Sequence, residues 1–175
     1  MNEAVARARE FAVAAHGEQK YGEQPYSVHL DAVVELLAPF GEQAQVVGYL
    51  HDVVEDTSVS LEAVRREFGD RVAACVTIVT DEPGANRRER KAKTNAKLTA
   101  VSGEDALALV VKAADRLSNL RASARGGSDS KLGMYRREHP AFHEAAYRPG
   151  LCDELWAEMN RILNAGQGAT PDPVV

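Results

Sequence analysis

Apolar residues recur at three- and four-residue intervals along almost the whole chain, and no segment alternates for long enough to suggest a strand. Val5, Ala8, Phe11, Ala12 and Ala15 predict a first helix over 3–16. A turn-rich loop follows from Gly17 to Ser27, with two glycines and a proline. Val33, Val34, Leu36 and Leu37 predict an amphipathic helix opened by His29 and stopped near Pro39. A central helix is expected from Glu42 to Glu55. Ser60 reads as the N-cap of a helix carrying Leu61, Val64 and Phe68 and closed by Gly69. Asp70 caps another that runs to Thr80. After a loop over 81–86, residues 87–101 form a polar, basic helix, and residues 106–120 form one rich in Leu, Val and Ala that reads as buried. Gly126-Gly127 breaks the chain before short helices over 130–138 and 141–146. A last helix carries Leu155, Trp156, Met159 and Leu163. The pattern predicts an all-α, single-domain helical bundle over residues 1–165, followed by a flexible tail over 166–175.

Composition narrows the classes. A chain of 175 residues, 45% of them hydrophobic, is enough for one sizeable core. A net charge of −5 argues against nucleic acid as a partner, so basic residues act locally if they act at all. Cys75 and Cys152 are too few for a disulfide framework and read as core thiols. No apolar run approaches the roughly 18 residues of a membrane span. The opening Met1-Asn2-Glu3-Ala4 has neither a basic stretch nor an apolar core, so a cytoplasmic protein is expected.

Chemistry collects at His51-Asp52-Val53-Val54-Glu55-Asp56, where four ionisable groups close an apolar stretch. On one continuous helix His51 would stand over Glu55 and Asp52 over Asp56. Imidazole nitrogen and carboxylate oxygen both suit a divalent ion. The competing reading is a solvated helix end whose His caps the last carbonyls. The apolar run before it favours a buried helix, where carboxylates need partners or a metal. His29 at its helix mouth reads as a cap, an exposed residue or a ligand. Asp115 interrupts the apolar run 109–117, as a metal ligand or as the ion-pair partner of Lys112 or Arg116. Together His29, His51, Asp52 and Asp115 make a two-His, two-Asp set of the kind that helix bundles assemble between facing helices.

The order His…His-Asp…Asp resembles the HD metal-dependent phosphohydrolases. The sequence is similar to the hydrolase domain of the RelA/SpoT type, in the single-domain form called small alarmone hydrolases, of the metazoan SpoT homologue kind. Four stretches carry the resemblance: Ala15-His16 with Gln19 and Pro25-Tyr26-Ser27-Val28-His29; Leu50-His51-Asp52-Val53-Val54-Glu55-Asp56-Thr57; Glu89-Arg90-Lys91; and Lys112 through Arg121. It implies an HD-type bundle with a metal site between helices, in which His29, His51, Asp52 and Asp115 ligate one metal, usually manganese. Glu55 and Asp56 would position and deprotonate the attacking water. Asn119 would bind ribose or phosphate, and Lys91 would face substrate phosphates unless its helix is merely exposed. Lys131 and Tyr135 resemble a substrate-binding Arg-x-x-x-Tyr pair, or form a solvated surface pair.

Leu30 stands where the family usually has proline, and the loop before Pro25 is about one residue shorter. Lys20-Tyr21 replaces the Arg-Lys or Arg-Arg pair that grips the nucleotide; Tyr21 would stack on a purine or pack on the domain. The implied reaction is removal of the 3′-pyrophosphate from guanosine 3′,5′-bis(diphosphate), or its pentaphosphate form, giving GDP or GTP and pyrophosphate. The alternatives are another phosphorylated nucleotide (an adenosine alarmone, a nucleoside monophosphate or NADPH) or a nucleotide sensor without turnover. The expected partner is a small phosphorylated nucleotide, with a homo-oligomer left open and no synthetase domain downstream.

Overall fold

The structure, a computed structural model, describes residues 2–165. The tail expected to be flexible, 166–175, lies outside the described residues. The chain folds as an all-α bundle in the order α1 (Glu3–His16), a two-residue hairpin of β1 (Lys20–Tyr21) and β2 (Gln24–Pro25), α2 (Ser27–Leu37), α3 (Glu42–Leu50), α4 (Val53–Asp56), α5 (Leu61–Phe68), α6 (Asp70–Val79), α7 (Arg87–Thr99), α8 (Leu107–Arg125), α9 (Asp129–Ala146) and α10 (Asp153–Asn164). Single 3-10 turns precede α3 and α8.

Helix α8 is the axis. Residues 108–114 are buried without interruption, and α2, α3, α6, α9 and α10 all pack against it. Such a helix is apolar all round, because every face meets another element. Leu109, Leu117 and Leu120 have no exposed surface. Full burial of a leucine side chain stabilises by about 1.5–3 kcal/mol, so this axis carries much of the core. Any charge placed on it is held by packing rather than by solvent.

Local signals set most boundaries. Asn2, Ser60 and Asn86 each cap a helix by accepting a backbone N–H, from Ala4, Ala63 and Glu89. Gly69 closes α5 with φ +86°, a conformation an L side chain resists. It also stands at the N-cap of α6, so Asp70 is the first residue of that helix rather than its cap.

Four further expectations are corrected. The central helix is not continuous to Glu55; it stops at Leu50 and resumes at Val53. His29 does not open its helix but lies in the first turn, behind Ser27 and Val28. The loop after α1 contains an antiparallel hairpin pairing Tyr21 with Gln24. Gly22, at φ +63°, takes the first position of its two-residue turn, where glycine is favoured. Finally, the two short helices expected on either side of Pro140 are one helix, α9.

Pro140 cannot donate to the carbonyl of residue 136, yet α9 continues because both flanks are anchored. Glu138 is gripped by Arg87 before the proline, and Phe142, Ala145 and Ala146 are buried after it. Pro140 itself is exposed. Pro140→Ala is therefore expected to stabilise the fold. It recovers most of the roughly 3 kcal/mol that an interior proline costs, less up to about 1 kcal/mol of added unfolded-state freedom. Urea unfolding checks this as a higher midpoint at unchanged slope; a lower midpoint would mean that α9 needs the bend the proline imposes.

Candidate metal centre and cleft

The break after Leu50 creates the site. On an unbroken helix, adjacent residues project about 100° apart and cannot meet at one point. Here Asp52 turns to φ −104°, ψ −4° between the two helices. His51 Nε2 and Asp52 Oδ2 thereby come within 2.9 Å. From α2, His29 brings its Nε2 to 3.9 Å from Asp52 Oδ2. From α8, Asp115 Oδ1 lies 3.3 Å from His29 Nε2 and 3.7 Å from His51 Nε2. One atom each of His29, His51 and Asp52 falls within 4.8 Å of the others. Atoms that share a cation at roughly 2.1 Å stand about 3.0–3.5 Å apart, so this spacing fits a divalent ion.

A hydrogen bond holds each imidazole from behind, and for His51 the carbonyl partner sets the tautomer. His51 Nδ1 donates to the Gly48 carbonyl at 2.7 Å, and His29 Nδ1 meets Ser118 Oγ at 3.3 Å. That partly honours the helix-capping reading of His51, yet it also leaves Nε2 as a lone pair facing the cluster. His51 Nε2 is buried and has no hydrogen-bond partner, despite the carboxylate at 2.9 Å. Two lone-pair atoms so placed share a cation or repel. Burial opposes charge on His51, but Asp52 and Asp115 outweigh it and lift its pKa well above the usual value. Burial likewise works against the Asp52 carboxylate, yet His51 holds its pKa down at about 2. The pocket demands positive charge, which is the condition a metal site meets.

The ion-pair alternative for Asp115 fails on partners. Lys112 Nζ bonds Val79 O at 2.7 Å and Asp81 Oδ1 at 2.9 Å, while Arg116 turns to Glu138 at 3.3 Å. Asp115 instead accepts from Asn119 Nδ2 at 2.6 Å. Asn119 in turn accepts from the Tyr21 hydroxyl at 2.8 Å. The Tyr21 ring stacks on His29 with centroids 4.7 Å apart, so Tyr21 is a half-buried prop of the cluster rather than an exposed ring on a loose loop. Burial pushes its hydroxyl pKa up to about 12, and it stays a donor.

Glu55 and Asp56 diverge. Glu55 Oε2 accepts from the Asp81 backbone N–H at 3.0 Å, and burial raises its pKa above the usual glutamate value. Both residues are exposed overall, the Glu55 side chain to 27%; Asp56 Oδ2 accepts from Gln19 Nε2 at 3.1 Å and lies 3.3 Å from the Tyr26 hydroxyl. Tyr26 donates to Asp52 and stacks on His16 at 4.3 Å, and His16 Nδ1 donates to Gln19 at 2.9 Å. His16, Gln19 and Tyr26 thus form a chain behind the carboxylates.

A cleft of about 170 Å³ opens on the cluster and is lined also by Glu55, Asp56, Asp81, Arg87, Lys91, Lys112, Arg116, Asn119 and Tyr135. Lys20 and Lys131 lie elsewhere, in a neighbouring cavity of about 380 Å³ that shares Tyr21, Asn119 and Tyr135 with the first. Arg87, Lys112, Arg116, Asp81 and Glu138 were not singled out by sequence as site residues. Their signal was present as the four-residue spacings Arg87/Lys91 and Lys112/Arg116, but their carboxylate partners come from distant segments.

Fold and site together define a helical bundle with an HD-type metal centre. The chain belongs to the HD domain family, whose model matches residues 6–150. Among its relatives is the guanosine-3′,5′-bis(diphosphate) 3′-pyrophosphohydrolase of Aquifex aeolicus, 35% identical over 91% of this chain and 23% of the relative. The GTP pyrophosphokinase of Streptomyces coelicolor is 38% identical over 87% of this chain and 18% of the relative. The chain thus spans about a fifth of the length of the curated relatives it matches. A solved metazoan ortholog of SpoT, which hydrolyses ppGpp and plays a role in starvation responses, superposes with a TM-score of 0.79 at 26% identity, over 94% of this chain and 96% of that one. Among the described residues, no helix is long and apolar enough to cross a membrane.

Ligation by folded protein alone predicts linked stability. A divalent ion at a hundredfold excess over its dissociation constant should add about 2.7 kcal/mol, roughly 5–10 °C in melting temperature. Asp115→Asn should lose that shift and the metal while remaining folded. Wild-type metal content in this variant, by elemental analysis, would remove Asp115 from the ligand set.

Proposed function

We propose that the protein is a metal-dependent phosphohydrolase that removes the 3′-pyrophosphate of guanosine 3′,5′-bis(diphosphate), yielding GDP and pyrophosphate, and GTP from the pentaphosphate. The observation that carries this is the convergence of His29, His51, Asp52 and Asp115 at the end of a cleft walled by basic side chains. The relatives' activities on the same nucleotide support the choice of substrate. Manganese is the proposed ion. Held by these four residues, a divalent ion supplies Lewis acidity, easing deprotonation of a water and the build-up of charge on a phosphate oxygen.

Glu55 is the proton acceptor. It lines the cleft, its carboxylate is fixed through one oxygen by Asp81 N–H, and burial makes it a stronger base than a solvated glutamate. The water oxygen bonds to the phosphorus next to the 3′-oxygen, the bond from phosphorus to that oxygen breaks, and the 3′-oxygen gains a proton. Asp56, held by Gln19 and Tyr26, orients the water. Asn119 fixes Asp115 and offers its edge to the ribose. Tyr21, Lys20, Lys131 and Tyr135 take the nucleoside, in the cavity that adjoins the cleft. Lys91 meets the phosphates, and local basic charge draws the anion inward against a net charge of −5. Hydrolysis in the cytoplasm is the proposed setting.

Glu55→Gln should keep its metal and bind substrate, yet lose a hundred- to ten-thousand-fold in turnover, the usual range for a general base. Loss of the metal instead would move Glu55 into the ligand set. For the wild type, turnover requires the carboxylate form, so it should fall as pH drops through a pKa above the ordinary glutamate value. The substrate is tested by incubating manganese-loaded protein with a panel of guanosine and adenosine alarmones, nucleoside monophosphates and NADPH. Preferential release of pyrophosphate from the guanosine compound is expected; preference for another compound would replace the substrate, and binding without turnover would make the protein a sensor.

A further inference from the structure

Asp56 stands at the exposed end of α4, and among the described residues only its Oδ2 has hydrogen-bond partners. Two donors are in reach of that oxygen, Gln19 Nε2 at 3.1 Å and the Tyr26 hydroxyl at 3.3 Å. The hydroxyl carries one proton, and its nearer acceptor is Asp52. Burial, with the Asp52 charge alongside, pushes the Tyr26 pKa far up, so the phenol keeps that proton. Asp56 therefore faces a phenol oxygen whose proton points elsewhere, and Gln19 is its one committed donor.

The backbone of Gln19 is fixed from both sides. Its N–H donates to the His16 carbonyl at 3.0 Å, and its own carbonyl accepts from Tyr26 N–H at 3.0 Å. What stays free is the orientation of the terminal amide, whose two ends have nearly the same shape. His16 decides it, because its Nδ1 lies 2.9 Å from Gln19 Oε1. With the ring proton on Nδ1, Gln19 turns its carbonyl to the imidazole and its amide nitrogen to Asp56. With the proton on Nε2, the amide would flip and set a carbonyl oxygen against the carboxylate.

The imidazole cannot swing away to relieve such a clash. It is buried in the last turn of α1 and stacked on Tyr26 with centroids 4.3 Å apart. Its far edge supplies a second observation: His16 Nε2 is buried with no hydrogen-bond partner. Such an orphan destabilises, and a fold that retains one points to a use for the other edge of the ring. We propose that His16 is a positioning residue for the hydrolysis. Held as the Nδ1–H tautomer, it sets Gln19 to donate to Asp56, which occupies Oδ2 and leaves Oδ1 for the water. The inference rests on the phosphohydrolase reading, in which Asp56 orients that water.

Gln19→Glu tests the chain at its middle link. The variant keeps the length and still accepts from His16, but it places a carboxylate oxygen where Asp56 needs a donor. With manganese and guanosine 3′,5′-bis(diphosphate), kcat should fall at least about tenfold, the effect of losing one hydrogen bond to a charged group, while KM and metal content stay at wild-type values. His16→Leu should lose kcat likewise. His16→Asn, whose amide nitrogen stands close to the position of Nδ1, should restore most of it. Nitrogen-15 spectra of the neutral ring supply a readout independent of turnover. They should place the proton on Nδ1 in the wild type, and a population protonated on Nε2 should emerge in Asp56→Ala. If His16→Leu fails to fold, as a melting curve would reveal, Gln19→Glu and the spectra carry the comparison. Wild-type kcat in Gln19→Glu, or a wild-type ring protonated on Nε2, would overturn the proposal. So would a His16→Leu protein that melts earlier yet turns over normally. Absence of turnover in wild-type protein that shows the expected spectra would instead sink the hydrolase reading and leave the link from His16 to Asp56 standing.

Discussion

Two imidazoles and two carboxylates lie in the middle of an apolar bundle, and the rest of the structure answers to the cost of placing them there. His29 and His51 are each 2% exposed, and Asp52 and Asp115 are largely covered. An isolated charge in such a place would be neutralised or expelled. Here the four are mutually compensating only if positive charge sits between them, which the raised His51 pKa expresses and a divalent ion satisfies better than a proton. Gly48 O and Ser118 Oγ set the rings, while Tyr26 and Asn119 hold the two aspartates.

The same logic governs the ring around the cluster. Asp81 and Glu138 are carboxylates whose task is to hold cations, and they do it between α7 and α8. Without Asp81, Lys91 and Lys112 would repel in a half-buried space; with it, burial and Lys112 still leave the Lys91 pKa lowered. Through its backbone N–H, Asp81 also fixes Glu55. One residue at the exit of α6 therefore links the proposed base to the basic wall of the cleft. The cleft is thereby cross-linked by ion pairs and hydrogen bonds although its residues come from many elements.

Such an arrangement suits phosphoryl transfer, where positioning and charge stabilisation contribute more than covalent chemistry by the protein. The net charge is −5 while Arg87, Lys91, Lys112 and Arg116 line the cleft, a local basic wall suited to a small polyanion rather than to nucleic acid. Tyr21 illustrates how one side chain serves two neighbours: its ring braces His29 and its hydroxyl braces Asn119, while it borders both cavities.

Helical periodicity, the cap at Ser60 and the apolar run of α8 were legible in the sequence, because they are fixed by residues within a few positions of one another. The convergence of His29, His51, Asp52 and Asp115 was legible too, since ionisable residues stranded in apolar helices and the matching motifs marked each member separately. The continuity of the helices was not. Nothing within the segment 42–56 announces the break at His51, which is imposed by the packing that draws His51 and Asp52 to a common point. Pro140 misled in the opposite direction, since the lost hydrogen bond is outweighed by anchors at Glu138 and Phe142 whose partners, Arg87 for one and Arg116 and Trp156 for the other, lie far away in sequence. The partners of Lys91, Lys112 and Arg116 were hidden for the same reason. A side chain's charge is written at its own position, but which opposite charge it meets depends on how the helices pack, so the sequence determined which groups are available to the candidate site and only the tertiary structure decided which of them meet in the cleft.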